Sequence, residues 1–420
     1  MKHARTTLAV VSGAAALALV LTGCSAGGSA TTNGPATLKV WTGFTGGDRP
    51  GYATIVKDFE KAHPDIKVEM TVQPWDTIQQ KLPSAWLTGQ GPDVAAVSSD
   101  PNAVAQYVKT RSVLPITDTG SGSGKINTDS FAPGTVDEFT YDGKLYGVPA
   151  NFATLSLYYN KKLFQDAGIS DPPTTVQEMA ADAKKLTTGG KYGIALADNQ
   201  TIQMWPVLQW LEGGDIVNSK GCSVLQTSDG QKSLSTWSDL VAKDKVSPVG
   251  LTGAEADSLF SAGKAAMEIN GPWAASGYKS AGIDLGIVKV PVGVDGKSST
   301  LGSIAPLSIS AKTKYPTQAQ EFLAYWTSKT AQQKFSLQTG FPPLRTDLSD
   351  DAQLKADPTV SVFASQVPDA RLYLPHVPNA TKVDSDAYVP LIGEVTRGKS
   401  VASATESAGQ MIDGLTGCSK

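Results

Sequence analysis

Leu38-Lys39-Val40-Trp41, Ile66-Lys67-Val68-Glu69-Met70 and Asp93-Val94-Ala95-Ala96-Val97 are three short, apolar or alternating stretches that read as strands. Between the first two, Tyr52, Ile55, Val56 and Phe59 are spaced for one apolar helix face, and Pro64 stops that helix. Between the second and third, Asp76 is placed to cap a helix running to about Leu87, closed by Gly89, Gly91 and Pro92. A βαβαβ succession of this kind predicts an α/β fold with a parallel sheet covered by helices. Ligands of such sheets bind beyond the carboxyl ends of the strands. The loops Trp41 to Asp48 and Ser98 to Asn102 are therefore the first places to look for a site.

Upstream, Lys2 and Arg5 precede an apolar stretch from Leu8 to Leu21, which ends in Leu21-Thr22-Gly23-Cys24. The stretch is too short to span a bilayer as a stable helix and has the layout of an export signal. Its ending resembles the bacterial lipobox. That resemblance implies a signal peptide over 1–23 and a lipid-bearing Cys24 on the outer face of the cell membrane; an ordinary secretory signal with a chance cysteine is the competing reading. Ser25 to Ala36 has neither charge nor large apolar residue, so 24–36 reads as the lipidated cysteine and a flexible tether.

Of the 420 residues, those beyond the tether are too many for one compact core, and two lobes are the natural division. The 36 Lys and Arg, less Lys2 and Arg5, leave 34 against 39 acidic side chains, a formal charge of −5. No basic patch stands out, which argues against nucleic acid as a partner. If Cys24 carries lipid, Cys222 and Cys418 form an even pair in an oxidising location. A disulfide between them and two separate thiols are both open. The run Gly120-Ser121-Gly122-Ser123-Gly124 before Lys125 fails the phosphate-loop pattern, because Thr119 and Ile126 hold the wrong positions; it is a loop. Leu155 to Tyr159 reads as a strand, and Val176–Leu186, Ser233–Val241 and Pro316–Thr327 as helices. The tail from Tyr388 to Leu415 reads as two helices parted near Gly398-Lys399-Ser400.

Gly143-Lys144-Leu145-Tyr146-Gly147-Val148-Pro149, followed by Leu157-Tyr158-Tyr159-Asn160-Lys161, resembles the extracellular solute-binding proteins of carbohydrate ABC importers, the maltose-binding-protein group. Gln80-Lys81-Leu82 through Thr88 to Val94, Met267-Glu268-Ile269-Asn270-Gly271-Pro272-Trp273, Glu321-Phe322-Leu323 and Gln338 to Arg345 resemble further family blocks, in family order and across nearly all the mature chain. The resemblance implies a periplasmic-binding-protein-like fold of type II: two discontinuous α/β lobes with parallel-rich sheets flanked by helices and a multi-strand hinge. One lobe would take 37–151 plus 303–342 and the other 152–302 plus 343–420, with hinge strands near Asn151–Thr154, Leu301–Ser303 and Pro342–Arg345. It also implies a monomeric receptor that closes over a di- or oligosaccharide and hands it to an ABC permease. Glycerol phosphodiesters and other polyols use the same family fold.

A neutral sugar offers apolar C–H faces for aromatic rings, and hydroxyls that must meet paired donors and acceptors. By the family resemblance, the tryptophan of Asn-Gly-Pro-Trp, Trp273, is a sugar platform, with a core anchor as its other role. Asp100 stands where the family places a hydroxyl-binding carboxylate, though an N-cap ahead of Pro101 is also open. Gln80 is a polar contact or a solvated helix position. Trp41 and Asp48 stand where ligand loops belong, or serve as core and turn former. Asn151 borders the hinge and reaches toward the cleft. Trp205 lines the second lobe or packs its core. Arg345 grips vicinal hydroxyls or makes an interlobe salt bridge. Tyr373 and His376, in a Pro-rich loop, are a further stacking pair to consider. The group often has a tryptophan before the Asp at position 100; here Val97-Ser98-Ser99 precedes it, which argues against maltodextrin as the ligand. No metal-ligand spacing or Gly-x-Ser-x-Gly elbow is present, so neither metal, cofactor nor catalysis is expected, with an exported glycosidase as the remote rival.

Overall fold

A computed structural model describes residues 34–98, 103–119, 125–132, 134–200 and 202–418. Strand β1 (Ala36–Thr42) pairs in parallel with β2 (Ile66–Val72) on one side and β3 (Val94–Ala96) on the other, so that Val40 lies opposite both Met70 and Val94. Helix α1 (Arg49–Ala62) buries Tyr52, Ile55, Val56 and Phe59, the face expected from spacing. It opens with Pro50, tolerated where the first-turn N–H groups have no intrahelical partner, and stops at His63 before Pro64.

Helix α2 (Trp75–Thr88) starts two residues earlier than a cap at Asp76 would place it. Pro74 occupies the cap position, its φ of −54° and ψ of 145° delivering extended chain into the helix. Gly89 closes α2 in the left-handed region at φ 73°, where a Cβ is costly.

The sheet continues through the long strand Thr300–Ile309, antiparallel to β3 and to Val148–Thr154, with Ala370–Leu372 on its far edge. Its register slips between Ala305 and Pro306, where proline has no N–H to give the ladder. The second sheet is centred on Ser156–Asn160, flanked by Met267–Asn270 and Leu285–Val288. The parallel pairing of β1–β3 does not carry over here. These flanking pairs are antiparallel, with parallel bridges from Tyr192 to Ala265 and Ala195 to Glu268 added at the edge. The helices at Val176–Leu186, Ser228–Ala242 and Pro316–Trp326 fall where periodicity puts them, and the tail forms Val389–Thr396 and Val401–Thr416.

Two large apolar cores underlie the two lobes. One gathers Leu38, Val40, Tyr52, Phe59, Phe322, Trp326 and Phe335, and the other Tyr158, Trp205, Trp237, Phe260, Tyr388 and Ile392. The chain leaves the first core after Ala153, returns at Ile304, leaves again after Leu344 and touches it once more at Val367, Ala370 and Leu372. The first crossing is pinned by side chains. Thr300 Oγ1 donates to the Leu155 carbonyl (2.8 Å) and accepts from its N–H (3.2 Å), and Gln366 Nε2 donates to the same carbonyl (3.1 Å). Cys222 and Cys418 are joined in a disulfide, their Cα atoms 5.3 Å apart, tying the last helix to the loop ahead of Ser228–Ala242.

Candidate functional site

A cavity of about 320 Å³ lies where residues of both lobes meet at the crossing strands. Its first-lobe wall begins at the carboxyl end of β1. Gly43 has no room for a side chain, because a Cβ there would sit 2.0 Å from the Trp75 indole; glycine lets that ring lie flat on the backbone. Phe44 meets Trp75 edge-on at 5.5 Å and stacks on Tyr52 at 3.9 Å, and Tyr52 stacks in turn on Trp326 at 5.4 Å. Trp326 Nε1 donates to the Ala150 carbonyl (2.9 Å), which fixes the column to the strand entering the crossing. Asn151 Nδ2 donates to the Tyr52 hydroxyl, and the Ala305 N–H reaches Asn151 Oδ1 at 3.4 Å. Asn151 is thus held from two sides while facing the cavity.

Asp48 occupies the N-cap position of α1, yet its side chain makes no capping bond. It is 5% exposed, faces the cavity, and its Oδ1 has no hydrogen-bond partner. Burial pushes its carboxyl up to about 6, against the pull of the N–H groups of Asp48 itself and Arg49.

The second-lobe wall is the strand Met267–Asn270 with the turn after it. Glu268 and Asn270, two apart, point to the same side. Tyr278 OH donates to Glu268 Oε2 (2.5 Å), and Asn270 Nδ2 lies 2.7 Å from Asp257 Oδ1 and 2.9 Å from the Tyr278 oxygen. Burial, reinforced by the Asp257 charge, holds the Glu268 carboxyl well above the usual carboxylate range. Trp273 follows Gly271-Pro272. A Cβ on Gly271 would lie 2.2 Å from the Trp273 ring, so the indole folds back over glycine, as the tight turn requires. Half-buried, Trp273 packs against both cores and lies 6.2 Å from Phe341. The lobes also touch through backbone: Gly47 N–H donates to the Trp273 carbonyl at 3.2 Å.

Of the residues expected from sequence, the structure brings Asp48, Asn151 and Trp273 to the cavity. Four others lie elsewhere. Trp41 has the opposite parity to Leu38 and Val40 on β1, and packs on the far side of the sheet with Ile78, Leu82 and Trp86. Gln80 is exposed on α2. Trp205 is sealed in the second core, its Nε1 donating to the Ala197 carbonyl (2.8 Å), and Gln203 and Met204 face the cavity instead. Arg345 is spent on structure: Nε and Nη2 clasp Asp347 at 2.9 and 2.8 Å, and Nη1 donates to the Thr327 carbonyl. Tyr373 donates to Asp384 (2.7 Å) and, with His376, lines a separate hollow near Trp210. Asp100, Cys24 and the glycine-serine run lie outside the described residues.

Sequence reading passed over Trp75, Asp257, Glu268 and Asn270. Trp75 was accessible: the strand-end rule applied to β1 and β3 applies equally to β2, whose following residues are Gln73-Pro74-Trp75. Glu268 and Asn270 also left a trace, as two polar residues at same-face spacing in an otherwise apolar strand. Asp257 left none, because the helix Gly253–Ser261 reaches the cavity only through tertiary packing.

The paired lobes and the cavity between them define a two-lobed ligand-binding architecture, and the sequence agrees. The profile of the bacterial extracellular solute-binding protein family matches residues 54–362, and the chain belongs to that family. It is 27% identical over 318 residues to the galactooligosaccharide-binding protein of Bacillus subtilis, covering 73% of each chain. Its fold is similar to the GacH receptor of Streptomyces glaucescens, solved unliganded and with acarbose (TM-score 0.79, 24% identity, 92% of this chain and 99% of that one). It is equally similar to UgpB of Mycobacterium tuberculosis in complex with glycerophosphocholine (TM-score 0.80, 20% identity, 90% and 98%).

Proposed function

We propose that this chain is a sugar receptor: it captures a di- or oligosaccharide between its lobes and delivers it to an ABC permease, without catalysis. The observation that carries the reading is the composition of one cavity. Aromatic faces (Phe44, Trp75, Trp273, Phe341) stand among carboxylate and amide groups (Asp48, Asn151, Asp257, Asn270) contributed by both lobes. Rings stack on sugar C–H faces, and the polar groups pair with hydroxyls that would otherwise be buried unsatisfied. Asp48, Asn151 and Trp273 are ligand contacts in this proposal, and Asp100 joins them through the family pattern. Export by residues 1–23, a lipid on Cys24 and a monomeric body are part of the same reading, with lobes over 37–151 plus 303–342 and 152–302 plus 343–420.

In this mechanism the open receptor exposes half a site on each lobe. Sugar stacks first on Trp273, and rotation about the crossing strands brings Asp48 and Asn151 onto its remaining hydroxyls. Only the closed state makes both sets of contacts, so ligand shifts the population toward it. A polyol or glycerol-phosphodiester ligand is the alternative, supported by the fold likeness to UgpB alone. A thermal-shift screen over saccharides and glycerophosphodiesters, followed by calorimetry and product analysis, tests the proposal. Saturable binding of a saccharide without turnover supports it. Turnover, or binding confined to phosphodiesters, overturns it.

A further inference from the structure

The ionisable side chains around the cavity are all acidic. Asp48 enters from the first lobe and Asp257 and Glu268 from the second, and no Lys, Arg or His is among the described residues that line it. Asn270 and Tyr278 engage both oxygens of Glu268, but they are neutral and neither neutralises Asp257. Asp48 goes further. It is buried, it forgoes the helix cap its position invites, and its Oδ1 is unmatched. A buried polar atom without a partner is costly, and a buried charge without a counter-charge costs more, so this arrangement is one a ligand completes.

We propose that the site is built for amino-substituted saccharides, whose protonated nitrogen is received by Asp48 and Asp257 while the sugar faces lie on Trp273 and Trp75. The inference rests on the saccharide reading above and narrows its substrate class. A neutral hydroxyl satisfies an orphaned carboxylate oxygen but leaves the buried charge uncompensated; an ammonium does both. An anionic ligand would add like charge where little water remains to screen it. Glycerophosphodiesters and uronic acids are therefore the wrong complement for these walls.

Calorimetry at pH 7 on matched disaccharide series, gluco and galacto, decides it. Each series compares three members with the same ring and linkage: one carrying a 2-amino group, one the 2-hydroxyl and one a uronic carboxylate. We expect the amino member to bind at least tenfold tighter than its hydroxyl counterpart, with no measurable binding of the uronate. We also expect Asp257→Asn to weaken the amino member at least tenfold more than the hydroxyl member. If hydroxyl members bind as well as or better than amino members, or if uronates bind comparably, the amine inference falls and the receptor reading stands. If no member of any series binds, both fall.

Discussion

On the first-lobe side of the cavity, Trp75, Phe44, Tyr52 and Trp326 form a continuous aromatic column in which the Tyr52 hydroxyl and the Trp326 N–H are already bonded, and Asp48 stands beside it with an unmatched oxygen. On the second-lobe side the polarity is inverted: Glu268, Asn270, Tyr278 and Asp257 bond to one another beneath a single indole, Trp273. The first wall is thus rigid in its apolar part and unsatisfied in its polar part. The second is satisfied in its polar part, while its apolar part sits between two bodies. Each lobe lacks what the other presents, and a ligand with flat faces and donor groups completes both.

The strongest way to break this contrast sets two tryptophans of the second lobe against each other. Trp205→Ala should lower unfolding free energy by about 3–5 kcal/mol, as for large core aromatics, while the folded protein keeps its affinity. Trp273→Ala should do the reverse, weakening saccharide binding about 100-fold, worth roughly 2.7 kcal/mol, with little change in melting temperature. Denaturant melts and calorimetry read both; a Trp273 variant of undiminished affinity would return that residue to the core.

Next comes the acidity of Asp48. Its folded value, about 6, lies above the usual carboxylate range, so the folded state holds the proton more tightly than the unfolded chain does. The contribution of Asp48 to the stability of the empty receptor should therefore be fullest below about pH 4 and be lost as pH rises through 6, by up to about 3 kcal/mol, a difference read against the Asp48→Asn variant. Asp48→Asn should flatten that decline and stabilise the empty protein at pH 7.5, yet bind ligand at least tenfold more weakly. Urea melts at pH 4 and 7.5 check the first part; equal pH slopes in both proteins would mean the carboxylate is not desolvated.

A smaller effect sharpens the first wall. Tyr52→Phe removes the partner of the Asn151 amide, for which we expect a stability loss of about 1 kcal/mol and a several-fold loss of affinity as Asn151 loosens. Gln80→Ala should sit at the bottom of the scale. An exposed position away from the cavity predicts binding within twofold of wild type, and a larger loss would place α2 in the site.

Periodicity made most of the architecture legible. Tyr52, Ile55, Val56 and Phe59 announced α1, and the polar break at 398–400 parted the last two helices, because burial on one face leaves a local imprint. The antiparallel second sheet left no such imprint, since pairing direction depends on where a chain returns. Among the residues at the cavity, Asp48 was readable from its glycine-rich strand-end loop, and Trp273 through the family resemblance of its Asn-Gly-Pro-Trp block. Trp41 misled because strand parity, a matter of one residue, sends its ring through the sheet to the opposite face. Arg345 misled although Asp347, which takes its Nε and Nη2, lies only two residues on, and Trp205 misled because the Ala197 carbonyl that receives its N–H is brought there by folding.

Trp273 packs against both cores and carries the carbonyl to which Gly47 donates. Any widening of the gap must wet that indole, and indole emission moves to longer wavelength in water. Of the eight tryptophans, Trp86, Trp205, Trp237 and Trp326 are sealed from solvent and should ignore the motion. The receptor thus carries its own optical gauge of closure, readable without a dye, in which Trp273→Phe isolates the part owed to Trp273 from that of Trp75 on the opposite wall.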